Sequence, residues 1–148
     1  MMESLSSERK DALLADFSNG FIQWAGIRAT DARFGEFESA LDVKPHHRQQ
    51  DGFIHAAVLA AMADHTAGYA AFTTVPEDTR ILTIEFKINF LRPASANRLC
   101  CRARLIRRGR KVCIGESDVF EKTGAGEKHT ARAMVTLMPV PETDLAGK

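Results

Sequence analysis

The chain has 148 residues, 45% of them hydrophobic and 26% charged, with a formal net charge of +1 at pH 7. That length suits one domain with a sizeable core, and the balanced charge argues against a protein that seeks polyanions over its whole surface. No apolar stretch approaches the roughly 20 residues that a membrane-spanning helix needs, so no membrane partner is expected.

The amino-terminal MMESLSSERK is acidic and polar where a secretory signal needs a basic end and an apolar run, which predicts a cytoplasmic location. Residues 7–17 read as a short amphipathic helix capped by Ser7, with Leu13, Leu14 and Phe17 on one side. It is expected to end near Asn19-Gly20. Phe21, Ile22 and Trp24 lead into residues 26–43, read as two short strands around the turn-like Phe34-Gly35. Residues 44–52 are polar, contain Pro45 and read as a loop.

Residues 55–72, rich in Ala, Leu and Met, are the one long helical candidate and stop before Val75-Pro76. The period then changes to two. Leu82, Ile84, Phe86, Ile88 and Phe90 alternate with Thr83, Glu85, Lys87 and Asn89, which predicts a half-buried strand with one apolar face. Residues 98–107, 111–120 and 128–138 are three further strands, separated by turns at Gly109 and over 123–126. Short connections favour an antiparallel sheet, and a single long helix must cover its apolar face. The expected class is α+β, a sheet wrapped around one helix in a single domain over residues 1–148.

Within that helix Asp64 falls on the side of Ala57, Ala60, Ala61 and Gly68, a face with almost no side-chain bulk. An unpaired buried carboxylate costs several kcal/mol, so Asp64 needs water or a task. A dimer partner or a ligand is the expected neighbour. His55 sits where the first backbone N–H groups lack intrahelical partners and the helix dipole favours negative charge, an end suited to an oxyanion. Between Phe86 and Gly115 there is no acidic residue but there are nine basic ones, which points to phosphates as a ligand class. Cys100, Cys101 and Cys113 are an odd count without metal-ligand spacing, and the adjacent pair should point to opposite strand faces, so all three are expected to be reduced. The five histidines show no ligand spacing either, and no metal is expected.

Gln49, Gly52, His55 and Asp64, followed by a strand ending in INFLRP and a Gly-Arg-Lys hairpin, resemble the hotdog-fold acyl-CoA thioesterases. The likeness is to the phenylacetyl-CoA thioesterase (PaaI)-like branch and runs over residues 26–138. That family is marked by an Asn, a Gly-x-x-His-Gly-Gly loop entering a central helix, and an Asp nine residues after the His. Here Gly52-Phe53-Ile54-His55-Ala56-Ala57 stands in the loop's place and Met62-Ala63-Asp64 resembles its Leu-Ala-Asp. Gln49 takes the position of the Asn, and Ala56-Ala57 that of Gly-Gly.

The resemblance implies a hotdog fold and hydrolysis of an acyl-CoA to free acid and CoA. It implies no cofactor beyond the CoA of the substrate, and a homodimer or homotetramer. It assigns the Ala56 N–H to an oxyanion hole, and Gln49 or His55 to positioning the carbonyl or the leaving sulfur. Asp64 becomes a general base or nucleophile reaching in from the neighbouring protomer, and Thr83 helps to hold the water. Gly52, Arg107, Arg108, Arg110 and Lys111 fall to the substrate's CoA portion. Phe53, Ile54, Met62 and Tyr69 are candidates for an apolar acyl pocket. The alternative is a non-catalytic acyl-CoA-binding or sensing domain. No nucleic-acid partner is expected, because no aromatic residues interleave the arginines.

Overall fold

The computed structural model describes residues 3–146. Helix α1 spans Ser7–Asp16, and its cap is Ser6 rather than Ser7, with the Ser6 Oγ accepting the Arg9 N–H at 3.1 Å. The lead-in to the first strand is a short helix α2, Gly20–Ala25, closed by Gly26 in the left-handed region at φ +77°. Strands β1 (Ile27–Arg33) and β2 (Glu36–Asp42) make the expected hairpin. The following loop holds one 3-10 turn, Pro45–His47. The long helix α3 runs over Ala56–Phe72. Strands β3 (Thr79–Phe90), β4 (Arg98–Arg107), β5 (Cys113–Thr123) and β6 (Gly126–Pro141) follow, and a 3-10 turn, Glu142–Asp144, comes last.

The six strands pair antiparallel in the order β1-β2-β4-β5-β6-β3. Short connections alone would set β3 beside β4. Instead β3 takes the far edge, next to β6. Helix α3 lies across one face of the sheet and separates β2 from β3 in sequence, so the strands before and after it fall on opposite sides of the sheet's centre. Residues 91–97 carry the chain back to the middle.

Small residues set how closely α3 approaches the sheet. Its buried side includes Ala63, Ala67, Ala70 and Ala71, facing Leu99, Cys101, Val119, Val135 and Leu137. A methyl placed on Gly115 would already meet the Ala67 Cβ at 3.7 Å. Polar ties reinforce the contact: the Ser117 hydroxyl donates to the Ala63 carbonyl at 2.6 Å, and the Ser39 and Thr66 hydroxyls pair at 2.8 Å. Helix α1 is pinned by Phe17, whose ring stacks on Phe37 at 5.2 Å, and by the Tyr69 hydroxyl, which donates to Asp16 at 2.7 Å. The three cysteines are free thiols, and burial pushes that of Cys101 up to about 12.

Strand β3 breaks the alternation read from its sequence. Thr83 pairs with Leu137 but Glu85 pairs with Thr136, which makes Ile84 the extra residue of a bulge. The phase flips there. Thr83 shares the helix-facing side with Phe86, Ile88 and Phe90, whereas Leu82 pairs with exposed Met138 on the outer side. Leu82 and Ile84 thus fall out of the apolar row. Nor is the strand half-buried within one chain: Ile84, Phe86 and Phe90 keep 52%, 38% and 47% of their surface exposed.

Candidate active site

The turn before α3 is built by the backbone. Gly52 adopts φ +86°, the Gln49 N–H donates to the Phe53 carbonyl at 2.8 Å, and the Gly52 N–H donates to the Gln49 carbonyl at 3.0 Å. The Gln49 side-chain oxygen accepts the Asp51 N–H. The turn is anchored below by the His55 N–H, which donates to the His47 carbonyl at 2.8 Å.

His55 is the helix cap. Its Nδ1 accepts the Ala57 N–H at 3.0 Å, and its carbonyl accepts the Val58 N–H at 2.9 Å. An accepting Nδ1 leaves the proton of the neutral ring on Nε2, as a free donor. The remaining amide of the first turn, Ala56 N–H, has no hydrogen-bond partner among the described residues and lies at an exposed position. It stands at the positive end of a 17-residue helix. Gln49, His55 and Ala56 open onto a cavity of about 560 Å³ whose apolar walls are Phe53, Ile54, Leu59, Phe90 and Leu91. Two of the acyl-pocket candidates belong elsewhere: Met62 is fully buried in the core and Tyr69 binds Asp16. The wall from Phe90 to Ala94 is not among the residues expected from sequence, and its only signal there is the INFLRP strand end.

Asp64 lies eight residues further along α3, about 12 Å at 1.5 Å per residue. The Thr83 hydroxyl donates to its Oδ1 at 2.7 Å. Simple alternation would turn Thr83 away from the helix, and the bulge at Ile84 is what aims it inward. Beside Asp64 the small residues Ala57, Ala60, Ala61 and Gly68 stay wholly or partly exposed.

The basic hairpin sits at the other end of α3. Arg108 and Arg110 line a second cavity, of about 450 Å³, with Thr74, Pro76 and Thr79, which follow the helix. Arg108 is committed to Glu3 and lies over the Phe34 ring at 5.3 Å. Arg107, Arg110 and Lys111 make no ion pair with any described residue, whereas Arg102 and Arg104 further back along β4 are neutralised. Arg104 meets Glu116 at 2.5 Å, and Arg102 meets Glu127 at 2.6 Å, holding that carboxyl at about 2. The basic tract is therefore not one continuous positive surface. Among the described residues no group of three His, Cys, Asp or Glu is placed to hold a metal, and no helix is long and apolar enough to cross a membrane.

One chain thus gathers Gln49, Gly52, His55 and Ala56 at the start of α3, joins Asp64 to Thr83 midway, and leaves the hairpin cations beyond its end. Comparison with known proteins fixes what this arrangement belongs to. The family model described as Thioesterase superfamily matches residues 51–128, a segment that includes Gly52, His55, Ala56, Asp64 and Thr83. The chain belongs to the thioesterase superfamily. A thioesterase family protein from Silicibacter pomeroyi superimposes with a TM-score of 0.84 at 29% identity, covering 87% of this chain and 96% of that one. A phenylacetic acid degradation-related protein from Ralstonia eutropha JMP134 gives 0.75 at 26%, covering 86% and 97%. The Escherichia coli PaaI protein from the phenylacetic acid degradation operon gives 0.76 at 17%, covering 88% and 89%, and carries the fold alone. The architecture is the PaaI-like hotdog fold, and the family's chemistry is that of a thioester hydrolase.

Proposed function

We propose that the chain hydrolyses acyl-CoA thioesters to free acid and CoA, at two equivalent sites formed between two copies. The observation that carries this reading is a separation on one helix. The unpartnered Ala56 N–H and the Thr83-held Asp64 carboxylate lie about 12 Å apart along α3, too far to act on one carbonyl. Each lies on surface that its own chain leaves bare. A second copy, its α3 antiparallel to the first, brings each Asp64 toward the Ala56 of the other across one self-complementary contact. The free edge of β3, with exposed Phe86 and Phe90, is the matching surface for that pairing.

In such a site the thioester oxygen accepts from the Ala56 N–H, where the helix dipole stabilises the charge that grows as the carbonyl is attacked. The Nε2–H of His55 and the amide of Gln49 orient the carbonyl or the sulfur. Asp64, steadied by Thr83, takes a proton from water as the water oxygen bonds to the carbonyl carbon. Collapse of the tetrahedral adduct breaks the C–S bond, and the proton returns to the departing thiolate. Direct attack by the carboxylate, through an anhydride, uses the same groups. Arg107, Arg110 and Lys111, free of carboxylates and near the far end of α3, meet the CoA phosphates.

The test is release of free thiol from phenylacetyl-, benzoyl-, short- and medium-chain acyl-CoAs by the wild type and Asp64→Asn. Turnover abolished in the variant supports the reading. Equal rates in the two proteins remove Asp64 from the chemistry.

A further inference from the structure

Two loops border the cavity beside Ala56, one closed on itself by the Gln49 turn and a single Arg48–Ile54 bridge, the other without secondary structure of its own. One carries Gln49 and Gly52. The other, residues 93–97, supplies Pro93 and Ala94 to the cavity wall. In the second loop both backbone polar groups of Ser95 and of Ala96, and the carbonyls of Ala94 and Asn97, have partners. The Ala94 carbonyl accepts the Ile54 N–H at 2.8 Å, and the Asn97 carbonyl accepts the Val43 N–H at 2.8 Å. Between them, the Ser95 and Ala96 carbonyls go to a single guanidinium. Arg48 Nη1 donates to Ser95 at 3.1 Å, and its Nη2 donates to Ala96 at 3.4 Å and to the Asn97 side-chain oxygen at 3.2 Å. The same Nη1 reaches the Gly52 carbonyl of the first loop at 3.0 Å. From the other side Glu121, a nearly fully buried carboxylate, accepts the N–H groups of Ser95 and Ala96, both at 2.9 Å.

This is not what surface charge usually does. Arg48 makes no ion pair with a described carboxylate; its donors are spent on backbone carbonyls of two separate loops. A guanidinium offers five donors in a fixed plane and suits that bridging, while an ammonium is a single point. Neither Arg48 nor Glu121 lines the cavity.

We propose that Arg48 is a positioning residue which, with Glu121 as its counterpart, clamps the two loops together, and that this clamp sets both the placement of Gln49 and Ala56 and the width of the acyl pocket. Its kinetic consequence rests on the hydrolase reading; the clamp itself does not. Loosening it lets residues 93–97 drift from the Gln49 turn. Cognate acyl-CoAs then lose kcat, because misplacement by about 1 Å can cost roughly 100-fold, and bulkier acyl groups lose less than small ones.

The experiment compares Arg48→Lys, Arg48→Ala and Glu121→Gln with the wild type, reading kcat and KM over an acyl-size series, amide hydrogen exchange at residues 94–97, and rescue of Arg48→Ala by free guanidinium at millimolar concentration. The expected result is a fall in kcat of roughly 10- to 100-fold in Arg48→Ala, with a flatter acyl-size profile. Arg48→Lys should recover only part, and Glu121→Gln, which trades the charged acceptor of two loop N–H groups for a neutral one, should also lose rate and flatten the profile, to a lesser degree than Arg48→Ala. Guanidinium should restore rate and exchange protection together. Rates and selectivity unchanged in Arg48→Lys and Arg48→Ala, while the wild type turns over, overturn the clamp and leave the hydrolase reading standing. If the wild type turns over no acyl-CoA, that reading falls, and unchanged exchange at 94–97 in the variants then overturns the clamp separately. Should Arg48→Ala fail to fold, the partial loss expected of Arg48→Lys decides between the same two outcomes.

Discussion

Replacing Ala56 by proline removes the one atom on which the oxyanion assignment depends. The residue is the first of α3, where its N–H is intrahelically unpaired in any case and where proline's fixed φ is already helical. The preceding residue also permits it: His55 has φ −61° and ψ 137°, the extended conformation that a following proline requires. Ala56 is exposed, so the ring meets open space. Stability should hold or rise by about 0.4–1 kcal/mol through the stiffer unfolded chain. Activity should not hold. Loss of one oxyanion donor corresponds to about 2.7–4 kcal/mol of transition-state stabilisation, or roughly 100- to 1000-fold in kcat. The assay is free-thiol release at saturating acyl-CoA, with thermal melting alongside and Ala56→Gly as the control that keeps the N–H and removes the methyl. A proline variant with Tm within about 4 °C of wild type and kcat within about threefold of it would refute the oxyanion assignment. Loss of rate in the glycine control as well would place the effect in the methyl instead.

The same geometry sets four other expectations. Mixing unfolded Ala56→Pro and Asp64→Asn chains and refolding them together should restore about a quarter of wild-type activity, since half the dimers are mixed and each keeps one intact site; no recovery would mean that each site draws on a single chain. Phe86→Asp on the free edge of β3 should yield a monomer without turnover, read by sedimentation velocity, because pairing would bury a charge at a cost of several kcal/mol. Thr83→Val, nearly isosteric, should lower kcat by about fivefold and leave KM within about a factor of two, as expected for losing one net hydrogen bond of about 1 kcal/mol at the base; a rise in KM alone would assign Thr83 to binding. The fourth concerns His47, whose Nε2 donates to the Ala25 carbonyl at 2.7 Å while its Nδ1 accepts the Lys44 N–H at 2.8 Å, so that the ring is neutral. Burial, the largest cause, lowers its pKa below the ordinary 6.5, as it does that of His65. The unfolded chain therefore takes up the proton first, and the stabilisation is complete above pH 6.5 and lost as pH falls beneath it. Tm should decline as pH falls below 6.5 and do so less steeply in His47→Gln; a flat profile in the wild type would remove this linkage.

Local physics determined much of this protein in advance. Period-two runs marked the strands after α3, and composition marked α3 itself, because alternation and helical propensity act over a few residues. His55 and Asp64 stood out for the same reason: a helix start and a small-residue face are visible as spacing. What lay beyond sequence was decided by partners distant along the chain. The move of β3 to the edge beside β6 depends on where α3 lies, and no local period encodes that. The bulge at Ile84 arises from register against Leu137 and Thr136, and it alone turned Thr83 from a residue on the polar face into the group holding Asp64. Arg48 and Glu121 look like ordinary surface charges in the sequence because their partners are backbone groups of Ser95 and Ala96, 47 and 25 residues away respectively. Backbone N–H and C=O groups carry no sequence signature, so only the folded chain shows which of its charges have been spent on them.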